Sequence, residues 1–263
     1  MLRITRVEDE PFFLLPHKTS GPKGKVRRNH LPFYHAYATG LPDTVDALVF
    51  TSDLQGREAG RQNRLLGVPV AEALNTMIRN QEIPQPGGVC LCGDLYDYPD
   101  CHKLGGTGTV DEVYEAFAKV APEIFGVMGN HDQLAEPDTL AANVHILDGD
   151  LRSVDKLTVG GVSGIVGNPS RNQRRTEADF LAAVEKVTRE NPELLLLHQG
   201  PADEDRGRRG VPDVALSLAT GYKGLTVFGH TRWQWPWLMT LGAGQVMNVD
   251  GRVVVLLKES INE

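Results

Sequence analysis

Apolar runs that stop abruptly at polar, chemically versatile residues recur along this chain. Leu48-Val49-Phe50 runs into Ser52-Asp53-Leu54-Gln55-Gly56, and Val89-Cys90-Leu91-Cys92 runs into Gly93-Asp94-Leu95-Tyr96-Asp97. Ile124-Phe125-Gly126-Val127-Met128 leads into Gly129-Asn130-His131-Asp132, Leu194-Leu195-Leu196-Leu197 into His198-Gln199-Gly200, and Leu225-Thr226-Val227-Phe228 into Gly229-His230-Thr231-Arg232. Each run has the length and continuous apolar character of a buried strand. Segments of helical period separate them. Val70, Leu74, Met77 and Ile78 share a face after Pro69, and Val113, Phe117 and Val120 follow a Thr109/Glu112 capping box. Phe180, Leu181, Val184 and Val187 line one side of a helix predicted over Thr176–Glu190, and a shorter helix is predicted near Asp213–Ala219.

The later part of the chain is richer in strands. Val144–Leu147, Leu151–Val159 and Val162–Val166 read as short strands, with Gly160-Gly161 as a hairpin turn. The tail reads as a β-meander: Trp237–Thr240, Gln245–Val249, an Asp250-Gly251 turn, then Val253–Leu257. The pattern predicts an α/β fold with two sheets packed face to face and helices outside. Residues 1–44 differ, because Pro11, Pro16, Gly21, Pro22 and Gly24 accompany a basic run from Lys18 to Arg28. They read as an irregular basic extension, with one short strand at its start, before a catalytic domain at 45–263. Such an arm suits folding over an acidic cleft or touching an anionic substrate.

Composition narrows this only modestly. A chain of 263 residues that is 41% hydrophobic can bury a full core as one large domain. A net charge of −7 argues against general nucleic-acid binding, which needs a broad basic surface. Cys90, Cys92 and Cys101 make no disulfide framework, and Cys90 and Cys92 fall on one face of a strand as small buried hydrophobes. No apolar run approaches the ~18 residues of a membrane helix, so no membrane partner is expected. Phe12-Phe13-Leu14-Leu15 is too short for a signal-peptide core and follows acids, which points to a cytoplasmic protein. Gly21-Pro22-Lys23-Gly24-Lys25 lacks P-loop spacing, and Gly105-Gly106-Thr107-Gly108 follows no strand, so neither is a nucleotide-binding loop.

The chemistry lies where the strands end. In open α/β sheets ligands gather just past the carboxyl ends of strands, and these strands deliver Asp53, Asp94, Asn130, His198 and His230 to one rim. Hard and borderline metal ligands so placed form the pattern of a metal-dependent hydrolase. In order, the motifs resemble those of the calcineurin-like metallophosphoesterase superfamily: D-x-H, G-D-x-x-D, G-N-H-D, a lone H and G-H-x-H. Here they stand as Asp53-Leu54-Gln55, Gly93–Asp97, Gly129–Asp132, His198 and Gly229–Arg232. The resemblance implies a four-layer α-β-β-α sandwich of two mixed sheets with one or two divalent transition metals, Mn, Fe or Zn. It implies one metal on Asp94, Asn130, His198 and His230, and a second on Asp53, Asp94 and the residues at 55 and 232. It further implies that His131 contacts the phosphate or protonates the leaving oxygen, that Asp132 orients that imidazole, and that Asp97 stands behind the ligands.

Two departures fall on the same metal position. Gln55 replaces a usual histidine, and can offer only a weaker amide oxygen. Arg232 replaces another and cannot ligate a metal, because its guanidinium stays protonated; it can instead neutralise Asp53 and Asp94 or grip a phosphate. The leading expectation is hydrolysis of a small phosphomonoester or phosphodiester by metal-activated water, with one ion firmly held and Arg232 in part replacing the other. The same losses suit an alternative, a catalytically degenerate scaffold that kept the fold for protein binding. Tyr98, where phosphoprotein phosphatases carry arginine, disfavours that branch. Arg171, Arg174 and Arg175 are either phosphate contacts or a solvated loop and helix start.

Overall fold

A computed structural model describes residues 1–154 and 156–259. Two mixed sheets dominate it, accompanied by helices α1 (Gly67–Arg79), α2 (Asp111–Phe117), α3 (Glu177–Arg189) and α4 (Pro212–Gly221). In the larger sheet, strands Ala47–Ser52, Gly88–Leu91 and Ile124–Gly126 run parallel, and Arg252–Lys258 lies antiparallel beside the first of them. The smaller sheet sets Leu157–Val162, Leu194–Gln199, Leu225–Gly229 and Gly244–Asn248 in parallel. No helix among the described residues is long and apolar enough to cross a membrane.

Strand alternation divides the larger sheet between two cores. Val49, Val89, Leu91, Val253 and Val255 face α1 and α2, where they meet Val70, Leu74, Val113 and Phe117. Their neighbours Leu48, Phe50, Cys90, Val254 and Leu256 turn the other way. They pack with Val159, Leu194–Leu197 and Val227 of the smaller sheet, in a cluster that also takes in Phe180 and Val184 of α3. α3 starts cleanly because Thr176 Oγ1 accepts the Asp179 amide at 3.1 Å, and its acidic first turn and basic last turn suit the helix dipole.

The stretch expected to be an irregular extension is built into the larger sheet. Phe13–Ser20 and Val26–Thr39 form a hairpin in register from Phe13↔Phe33 to Ser20↔Val26, and Arg3–Val7 pairs with the second strand. Val26–Thr39 then runs parallel to Arg252–Lys258, from Val253↔Phe33 to Lys258↔Ala38. The cause is visible in burial: Leu31 and Phe33 enter the helix-side core, while Ala36 and Ala38 enter the core between the sheets.

Three local expectations also change. Gly160 and Gly161 lie within a strand, Leu157–Val162, which pairs antiparallel with Asp150–Val154 from Asp150↔Gly161 to Val154↔Leu157. They are glycines because neighbours press both faces: a Cβ on Gly160 would meet Val187 Cγ1 at 2.3 Å, and one on Gly161 would meet Leu147 Cβ at 2.6 Å. The tail is not a meander, since Leu238–Leu241 and Gly244–Asn248 pair in the smaller sheet while Arg252–Lys258 crosses to the larger one. The Thr109/Glu112 capping box does not form. Val110 caps α2 without a side-chain bond, and Glu112 accepts the Leu65 amide at 3.1 Å, tying α2 to the start of α1.

Candidate metal centre

The strand ends of the two sheets converge closely enough that their motifs require glycine. A Cβ on Gly129 would sit 2.1 Å from Asp94 Oδ1, and one on Gly229 would sit 2.0 Å from Ser52 Oγ and 2.2 Å from Asp53 Oδ2. Leaving the strands, Asp53, Asp94 and His230 all adopt left-handed backbone, with φ of 52°, 54° and 64°. Each such residue costs about 1 kcal/mol or more and aims its side chain into the shared rim.

Asp94, His198 and His230 offer ligand atoms that lie within 4.8 Å of one another. His198 is buried, and its Nδ1–H donates to the Cys92 carbonyl at 2.7 Å, which leaves Nε2 facing the rim 3.3 Å from Asp94 Oδ1. Among the described residues, neither that Nε2, beyond its approach to Asp94, nor the buried Oδ1 of Asn130 has a hydrogen-bond partner. Two buried, orphaned donor atoms beside a carboxylate and a second imidazole fit a divalent transition metal by their mixed nitrogen and oxygen chemistry.

Electrostatics carry the same demand for positive charge. Burial alone would lower the His198 pKa, but the Asp94 and Asp53 carboxylates push it up to about 10. Burial, and after it His198, holds the second imidazole, His230, down to about 4, neutral and ready to ligate. Burial opposes charge on Asp94, yet His198 and His131 hold it below the usual carboxylate range. Burial and then Asp250 raise Asp53 well above that range.

The other half of the rim is built differently. Asp53 Oδ2 is fixed by Ser52 Oγ at 2.7 Å and by the His230 amide at 2.8 Å. Gln55 turns its amide nitrogen, not its oxygen, to Asp94 Oδ2 at 3.1 Å. Arg232 is exposed and makes no ion pair with Asp53 or Asp94 among the described residues. Its charge acts on Asp250, whose carboxyl is raised by burial and drawn back down first by Arg232. Asp250 went unrecognised as a site residue because it reads as half of a turn. Its position is nevertheless the shared one, a carboxylate just past the end of a buried strand, Gly244–Asn248, whose Gln245 and Asn248 interrupt the apolar run.

The role expected of Asp132 is corrected. Its carboxylate accepts the backbone amides of Leu95 at 2.7 Å, Tyr96 at 3.2 Å and Gly129 at 2.8 Å, so it clamps two strand-end loops together. The His131 imidazole is held instead by its Nδ1 on the Gly106 carbonyl at 2.6 Å, leaving Nε2 3.8 Å from Asp94 Oδ2. Asn172, also missed, donates to the carbonyls of Asn130 at 3.2 Å and Asp132 at 2.9 Å and pins that loop from outside. Asp97 is fully buried and caps the Tyr98 amide at 2.8 Å. Of the three candidate phosphate arginines, Arg175 is committed to Asp148 at 2.9 Å, while Arg174 stands near enough to His230 to help lower its pKa. A cleft of about 410 Å³ covers the rim, and the hairpin supplies its far wall through His17, Arg27, Asn29 and His30.

Residues 47–232 match the family model described as calcineurin-like phosphoesterase. A solved phosphopantetheinyl hydrolase from Mycobacterium tuberculosis is 14% identical, with 78% of this chain and 89% of that chain covered at a TM-score of 0.46. No curated protein matches the chain.

Proposed function

This chain belongs to the calcineurin-like phosphoesterase family, and on that footing we propose that it hydrolyses a small phosphoester with the help of a divalent metal. The observation that carries the reading is the pair of orphaned buried atoms, Asn130 Oδ1 and His198 Nε2, beside Asp94 and His230. These four residues would hold the first ion. A bound divalent metal supplies Lewis acidity, polarising a phosphoryl oxygen and activating water near neutral pH. The protein's own groups do the rest. The Cys92 carbonyl keeps the His198 proton on Nδ1, and the Gly106 carbonyl does the same for His131. His131 Nε2 therefore faces the rim as an acceptor, placed to take a proton from the attacking water and pass it to the leaving oxygen. Asp132 fixes the loops that carry these groups.

The Asp53 side supports a weaker second ion. Gln55 spends its amide on Asp94, and Arg232 brings a fixed positive charge where a ligand is usual. Manganese, iron and zinc all suit the first donor set. The test is metal content after chelator-free purification together with turnover of a chromogenic phosphoester, for the unmodified protein and for Asp94→Asn. Retained metal and turnover that both vanish in the variant are expected; a metal-free protein that binds other proteins through this face would instead fit the scaffold reading.

A further inference from the structure

The rim opens on two sides. The first cleft lies between the strand ends and the hairpin. A second, of about 660 Å³, lies across the His230-Thr231-Arg232 segment and is lined by Arg206, Arg209, Trp233, Trp235 and Pro236. His230 and Arg232 border both clefts.

The second cleft is preformed. Thr231 Oγ1 and Trp233 Nε1 donate to the Arg209 carbonyl at 2.9 and 3.2 Å, fastening the arginine loop to the strand-end loop. Arg206 and Arg208 are used up on Asp203, at 3.2 and 3.3 Å. Arg209 and Arg232 are exposed, and neither pairs with a carboxylate among the described residues. Trp235 keeps 51% of its surface exposed, although its ring is braced edge-on against Trp237 at 5.8 Å. A fixed, half-exposed indole beside two unpaired guanidiniums is a platform for a planar ring with negative charge close by.

We propose that the substrate is a phosphodiester whose phosphorus sits at the rim beside His230 and Arg232. One ester arm lies in the polar hairpin cleft, near Arg27, Asn29 and His30, and the other, a planar aromatic arm such as a nucleoside, stacks on Trp235. A monoester has one arm and fills one cleft, whereas a diester fills both. In the reaction, water oxygen bonds to phosphorus, one P–O ester bond breaks, and the departing oxygen takes a water proton, giving a monoester and an alcohol. This assignment rests on the hydrolase reading above.

The test compares bis(p-nitrophenyl) phosphate with p-nitrophenyl phosphate on metal-loaded protein. The expected kcat/KM is at least about tenfold higher for the diester. Trp235→Ala should reduce the diester-to-monoester ratio by about tenfold through KM, the loss of one stacked ring, with metal content unchanged, and Trp235→Phe should restore most of it. Preference for the monoester, or a ratio indifferent to Trp235→Ala, overturns the two-arm assignment and leaves the hydrolase intact. Failure to turn over either compound with metal bound overturns the hydrolase reading itself.

Discussion

Gly229 shows how tightly single residues are constrained at this rim. Any side chain there meets Ser52 Oγ at 2.0 Å and Asp53 Oδ2 at 2.2 Å, on a strand end that has no slack. Gly229→Ala should therefore cost about 3 kcal/mol in denaturant unfolding, the upper range for overpacking, and a loss below ~0.5 kcal/mol would mean the sheets separate easily there. His230→Ala acts differently. It removes a ligand from the surface of the cluster and should abolish metal retention while leaving the unfolding midpoint of the metal-free protein nearly unchanged. Arg232→His should raise metal stoichiometry towards two, since it restores a ligand beside Asp53. The second ion should remain the weaker, because Gln55 still directs its nitrogen to Asp94.

Among the elements, the N-terminal hairpin matters most. Val26–Thr39 covers one edge of Arg252–Lys258, itself next to the strand that carries Asp53. Deleting residues 1–39 would strip that edge and uncover Val253 and Val255, so the truncated chain should be insoluble or melt far below the full one. A truncated chain that melts within a few degrees of the parent would show that the hairpin is dispensable to the core. The sequence concealed this element for a physical reason. A half-polar strand alternates, and here Pro16, Pro32 and the run of lysines and arginines masked the alternation of Leu31, Phe33 and the alanines that follow. The buried parallel strands were legible because both faces are apolar, so their ends, and with them Asp53, Asp94, Asn130, His198 and His230, stood out. The partners of Asp132 and His131 left no trace in the sequence, because they are backbone amides and a carbonyl that only the folded chain brings into place.

At the level of the whole molecule, two sheets present their strand ends to one rim, and everything else holds them there. The cysteines belong to that frame: burial raises the Cys90 and Cys92 thiols well above their ordinary range, and Cys101 is raised as well. A thiol reagent at pH 8 should leave all three unmodified in the native protein and titrate them after unfolding, whereas a fast native thiol would show that a core opens readily. The central claim is that this rim is a metal-dependent phosphoester hydrolase with one firmly held ion. It is tested most directly by stripping the protein with chelator and following chromogenic phosphoester turnover while Mn²⁺ is added back stepwise. Activity should vanish on stripping and return fully by about one equivalent, the ion that the proposed ligands Asp94, Asn130, His198 and His230 would take. Turnover that persists undiminished in excess chelator would contradict the account.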